Sequence, residues 1–154
     1  NELKIPQRLA RDIIKKYFQQ YAGVKAYFDE AVENARTHKA ATTILGRTRS
    51  LAHIDSKSFT VRQQSERLAI NTPIQGSAAD LLKLAMLRLH DGLTEGNLKS
   101  RMLLTVHDEL VLEVPEDELS VTTELVRSSM EQVMELSVPL VVEMGMGNNW
   151  AEIH

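Results

Sequence analysis

The chain contains no cysteine, so disulfides and thiolate metal sites are excluded. That absence fits a reducing compartment. Long apolar runs are also missing: the longest are a few residues, against the ~20 that a membrane span needs. No charged-then-apolar segment of the secretory type opens the sequence. Linkers, repeats and low-complexity tracts are absent too. Aromatics are few, and five of the seven lie between Tyr17 and Phe28. What is present is ordinary for a soluble globular protein: 154 residues, 43% apolar and 25% charged. This length can bury a real core, in one domain or two small subdomains. No membrane partner is expected, and the expected location is the cytoplasm.

The net charge of −3 argues at first against a nucleic-acid partner. The distribution says otherwise. From Arg36 to Arg67 seven bases face two acids, a local +5; from Asp108 to Glu135 nine acids face one base, a local −8. A basic segment of this size could track phosphates, or could be a solvated face.

Apolar spacing predicts a helix from Pro6 through Tyr21, a break at Gly23, and a second helix from Val24 to about Thr37, paired as a helical hairpin. Its aromatics are expected to form a local core. Residues 41–45 suit a short strand, Gly46 turns the chain, and 47–57 reads as loop or short strand. Thr60 with Gln63 resembles a capping box, opening a helix to about Asn71. Thr72, Pro73 and Gln75 repeat the signature and predict a second helix, ending near Gly92 and Gly96. Residues 102–106 and 110–114 read as an antiparallel hairpin whose tip carries His107, Asp108 and Glu109. The acids at 116–118 favour a helix start, and Pro139 precedes a last strand, 140–146. The expected class is α+β: amphipathic helices plus a small antiparallel sheet containing that hairpin.

Two adjacent carboxylates at a turn are hard oxygen ligands suited to Mg²⁺. Asp is also common in turns for conformational reasons alone. Yet this junction has three ionisable groups and neither the Gly nor the Asn of a tight primed turn.

The residues Thr105-Val106-His107-Asp108-Glu109-Leu110 resemble the last motif of family A DNA polymerases. The fifteen residues Glu66 to Asp80 (ERLAINTPIQGSAAD) resemble the same family's E-R-x-A-x-N-x-P-I-Q-G-S/T-A-A-D segment. Leu45-Gly46-Arg47-Thr48-Arg49 is similar to the L-G-R-x-R of its fingers, and Gly145, Gly147 and Trp150 to its C-terminal ending. The order is the family's, over nearly the whole chain.

The resemblance implies a palm-like fold, incomplete here, with residues 1–66 the later fingers and 67–154 the second part of the palm. It implies transfer of a nucleotide from a dNTP to a primer 3′-hydroxyl, with two Mg²⁺ ions ~3.5–4 Å apart. Asp108 would be the catalytic metal ligand, Glu109 a helper beside it, and His107 a contact to the primer. Arg67, Asn71 and Gln75, at i, i+4 and i+8, would touch the template–primer duplex in its minor groove. There the acceptors barely distinguish one correct pair from another, so donors can test pair shape without reading sequence. Read from the residues alone, Arg67 is a surface cation, Asn71 a helix end and Gln75 a capping side chain. Arg47 and Arg49 would bind phosphate or support the fingers.

After the fingers Gly the family reads R-R-R-Y-L/V-P. This chain has Arg47-Thr48-Arg49-Ser50-Leu51-Ala52, which leaves the role of positions 48–52 open. The family's first catalytic motif, D-Y-S-x-I/L-E, and its triphosphate-gripping fingers helix are not in these residues. The expectation is a C-terminal piece of a monomeric polymerase, inactive alone, whose partners are template–primer DNA, dNTP and the rest of the chain. The alternatives are a non-catalytic DNA-binding or structural module, and a single-subunit RNA polymerase. The latter generally shows H-D-S at the tip, so Glu109 favours the DNA enzyme.

Overall fold

The computed structural model describes residues 5–152. It divides into two compact units, Asn1–Ser77 and Ala78–His154. The first holds α1 (Gln7–Gln20), α2 (Ala22–His38), β1 (Ala40–Thr42), β2 (Thr48–Ser50) and the opening of α3 (Phe59–Glu95). The second holds the rest of α3, then β3 (Arg101–Val106), β4 (Glu109–Glu113) and α4 (Leu119–Glu131), with 3-10 turns at Glu116–Glu118 and Trp150–Glu152. The class is α+β, but the strands form two separate antiparallel pairs, β1–β2 and β3–β4, rather than one sheet.

In the first unit the helical hairpin is present, with its break at Tyr21 instead of Gly23. Tyr21 leaves helical geometry at φ −114° and ψ 62°, and Gly23 sits inside the first turn of α2. The expected aromatic cluster forms: Phe18 meets Phe28 edge-on at 5.8 Å, and Tyr17 lies 5.0 Å from Tyr21. It is not buried, since α1 buries no residue. The buried core lies further along, where Ala35, Ala41, Leu51, Ile54 and Ala69 pack with Val32 and Leu68. Ile54 is fully buried; such a side chain contributes about 1.5–3 kcal/mol. β1 is shorter than expected. It pairs with β2 from Ala40↔Ser50 to Thr42↔Thr48, across a turn closed by Gly46 at φ 83°.

Sequence signals predict two helices meeting at Pro73; the structure has one, running unbroken from Phe59 to Glu95. Proline removes one intrahelical hydrogen bond and crowds the carbonyl four residues back, which normally ends a helix. Here the carbonyl next to the freed one, that of Ile70, accepts the Tyr27 hydroxyl at 2.9 Å. Ser65, Ala69 and Thr72 form the buried face of this part of α3 at helical spacing.

In the second unit α3 ends in a Schellman motif. Asn97 takes the left-handed position at φ 50°. Leu98 N–H donates to Leu93 O, and Asn97 N–H to Thr94 O. Leu98 then packs into the core of Leu89, Leu93 and Val126, which also receives Met102, Leu110, Leu112 and Met144. Truncating the fully buried Leu89 to Ala would cost about 2–5 kcal/mol. The β3–β4 register slips between Met102 and Leu104. The hairpin is also less buried than its sequence implies, with Leu103 56% exposed. No strand forms at 140–146. A strand needs a ladder partner, and here the Val142 amide donates instead to the Glu131 carboxylate at 3.0 Å.

Glu118 is more than a helix-start acid. Its carboxylate accepts from the Lys99 and Ser100 amides at 2.8 and 2.9 Å and from the Ser100 hydroxyl at 2.7 Å. The Ser100 hydroxyl also meets that of buried Thr122 at 2.9 Å. These contacts fix the entry to β3. The Lys99 amide, and then the Ser100 hydroxyl, hold the Glu118 pKa below its usual 4.5. A depressed folded pKa supplies stability that is whole above the unfolded value and lost as pH falls through the folded one. Glu118→Gln should therefore lower the denaturation midpoint at neutral pH. The gap from the parent should close as pH falls below 4.5, read by urea titrations across that range.

Candidate nucleic-acid interface and carboxylate turn

Arg67, Asn71 and Gln75 are all exposed on α3. Because the helix continues through Pro73, each follows the last by about 40° around the axis, so the three line one face. Arg67 and Asn71 lie on the far side of the helix from the buried Ser65 and Ala69, and Gln75 lies nearer the buried Thr72. Asn71 and Gln75 are thus mid-helix residues, not a helix end and a cap. No other described residue takes a hydrogen bond or ion pair from these three side chains.

The β1–β2 turn docks against this stretch of α3. Gly76 permits the approach: a Cβ there would lie 2.5 Å from Thr43 Cγ2. The Ile44 amide donates to Ser77 Oγ at 2.8 Å. Arg47 Nη2 donates to the Gly76 carbonyl at 3.0 Å, and Arg49 Nη1 reaches Thr72 Oγ1 at 3.4 Å. Arg47 and Arg49 thus both reach α3 and support its geometry. Thr72, expected as an N-cap, is instead a buried helix-interior residue that meets Arg49.

The surrounding basic segment proves to be largely engaged internally. Arg36 pairs with Glu66 at 2.8 Å and lies near Glu33 and Asp55; Lys39 pairs with Asp55. Arg62 donates to the Ser56 carbonyl at 2.9 Å and stacks 5.7 Å from the Phe59 ring centroid. Linear charge density therefore overstates the free positive surface. Arg67 stands out because it is exposed and its guanidinium is not used in this way.

In the second unit His107 and Asp108 are the two turn residues, and Glu109 opens β4 opposite Val106. All three are exposed. His107 holds φ at 56°, a left-handed conformation that costs an L-residue roughly 1–2 kcal/mol. The first position of a two-residue hairpin loop accepts positive φ, usually through Gly. This is how the hairpin closes without Gly or Asn. Asp108 takes no hydrogen bond or ion pair from a described residue.

Among the described residues no three His, Cys, Asp or Glu side chains converge on a metal position. The turn offers one or two carboxylates. That donor set suits Mg²⁺, which completes its shell with phosphate oxygens and water; a two-metal centre needs another carboxylate.

Sequence spacing assigns Tyr27 to a local aromatic core, and no motif marks its hydroxyl. The only signal is its companion, a proline inside a helix. Glu118 is likewise hidden among neighbouring acids.

The family model described as DNA polymerase family A matches residues 1–152. DNA polymerase I of Streptococcus pneumoniae is 45% identical over 152 residues, which cover 99% of this chain and 17% of that protein. DNA polymerase I of Caldicellulosiruptor bescii is 44% identical over 151 residues, 98% of this chain and 18% of that protein. Among solved structures, a polymerase domain from M. smegmatis in complex with DNA primer-template and dNTP matches with a TM-score of 0.96 and 41% identity. That match covers 99% of this chain and 27% of the other. The chain spans less than a fifth of the length of these curated relatives.

The strained turn makes a stability prediction. Glycine relieves the left-handed cost at position 107 but loses more backbone entropy on folding. His107→Gly should therefore stabilise the protein by about 0.5–1 kcal/mol, and β-branched His107→Val should destabilise it. Urea denaturation of the two variants checks both signs.

Proposed function

Because the chain belongs to DNA polymerase family A, we propose that it serves template-directed DNA synthesis as part of a larger polymerase. In that reading residues 1–66 are the later fingers and 67–154 the second part of the palm. The substrate is a dNTP, added to the 3′-hydroxyl of a primer paired to its template. The solved relative that holds both DNA and dNTP supports these partners. The working unit is a monomer of the whole polymerase chain in the cytoplasm. Among the described residues, no helix is long and apolar enough to cross a membrane.

The observation that carries the reading is Asp108: an exposed carboxylate at the tip of a two-residue turn, inside the motif that matches the family. Asp108 would hold Mg²⁺, with Glu109 beside it. When bound, a metal pair of this kind stabilises the attacking and leaving oxygens of an in-line phosphoryl displacement. The turn leaves the Asp108 carboxylate exposed, where a bound Mg²⁺ would complete its shell with phosphate oxygens. His107, held beside Asp108, contacts the primer backbone. Arg67, Asn71 and Gln75 donate to minor-groove acceptors of the nascent duplex, a contact that tolerates every correct pair. Arg47 and Arg49 keep that face in place through their bonds to Gly76 and Thr72.

The test is primer extension by the full-length polymerase carrying Asp108→Asn. Groups that merely orient a metal ligand cost 10–100-fold when removed, so losing the ligand should cost on the order of 100-fold or more. Near-normal extension by this variant would remove Asp108 from the metal site and leave a DNA-binding module as the better reading.

A further inference from the structure

We propose that Tyr27 is a positioning residue for the duplex-contacting face of α3, acting through the turn that Pro73 opens. This rests on the reading of Arg67, Asn71 and Gln75 as duplex contacts.

Pro73 lies between Asn71 and Gln75. It deprives the Ala69 carbonyl of its helical donor and crowds it. Sharp helix kinks concentrate at proline, so a contact beside the freed carbonyl bears on the local angle. The next carbonyl, that of Ile70, accepts the Tyr27 hydroxyl at 2.9 Å, from a helix 43 residues earlier in the chain. Tyr27 and Pro73 also line one groove of about 510 Å³, together with Ala31, Ala41 and Ala69. Packing is therefore incomplete beside the proline, and a hydrogen bond holds the turn where side chains do not fill it. The tyrosine is half-buried, and its burial raises the phenol pKa, so the hydroxyl stays a donor at working pH. On the other side, Arg49 reaches Thr72 and Arg47 reaches Gly76. Bonded on both sides, the Pro73 turn carries Asn71 and Gln75 at a set angle. Loss of the Tyr27 hydroxyl alone releases one side.

The experiment uses the full-length polymerase as Tyr27→Phe, Pro73→Ala and the double variant, with Asp108→Asn as a control. A labelled primer–template gives Kd, and single-nucleotide extension gives KM for DNA and kcat. Tyr27→Phe should weaken primer–template binding and raise KM for DNA by about fivefold, the loss expected for one ordinary hydrogen bond. At saturating DNA, kcat should be nearly unchanged. In the Pro73→Ala background, where the Ala69 carbonyl regains its donor and the turn depends less on outside support, Tyr27→Phe should have a smaller effect on Kd. A merely structural tyrosine would lower the melting temperature equally in both backgrounds and leave Kd alone. The proposal is overturned if Tyr27→Phe leaves Kd unchanged, or changes it equally with and without Pro73. If Asp108→Asn still extends primers, the polymerase reading fails. If it is dead and Tyr27→Phe binds DNA normally, only the role of Tyr27 fails.

Discussion

A helix that runs through a proline leaves a carbonyl without its donor, and nearby contacts must hold the opened turn. In this chain the helix is α3 and the proline is Pro73. Much of the first unit is organised around that turn. Tyr27 reaches it from α2, and the β1–β2 turn reaches it through Ile44, Arg47 and Arg49. Gly76 is small because Thr43 lies where a Cβ would be. The outcome is one exposed face bearing Arg67, Asn71 and Gln75 in a continuous row. If the helix broke at Pro73, Gln75 would leave the row.

The hairpin of the second unit uses strain in a comparable way. His107 occupies the left-handed region so that two residues suffice to reverse the chain. Backbone strain of this kind is stored where function needs a particular geometry. The turn is supported from below by β3 and β4, whose Met102, Leu110 and Leu112 sit in the Leu89–Val126 core. The entry to β3 is held by Glu118 through Lys99 and Ser100. The acidic stretch thus contains two kinds of carboxylate. Glu118 is saturated with donors and structural. Asp108 is exposed and open to a ligand.

Much of this was legible in the sequence, and the misreadings have physical causes. Apolar period placed α1, α2 and the hairpin, because burial of one face imposes that period. Thr72-Pro73-Ile74-Gln75 looked like a helix start because local signals describe only local bonds. The Tyr27 hydroxyl that bonds beside the freed carbonyl comes from α2, and no window around Pro73 includes it. Residues 140–146 are apolar enough for a strand, but a strand exists only with a partner, and Glu131 takes the Val142 amide. The +5 segment read as free charge, whereas Arg36 and Lys39 are spent on Glu33, Asp55 and Glu66. The candidate residues were found through resemblance. Their spacing puts them on one face if the helix runs through Pro73, and α3 does so.

The central claim is that Asp108 contributes a metal-binding carboxylate to DNA synthesis by the larger polymerase. A ligand-softness switch tests it most directly. Thiolate disfavours Mg²⁺ and favours softer ions. In the full-length enzyme, Asp108→Cys should lose primer extension in Mg²⁺ and recover part of it in Mn²⁺ or Cd²⁺. Extension by Asp108→Cys in Mg²⁺ at the parent rate would contradict the account.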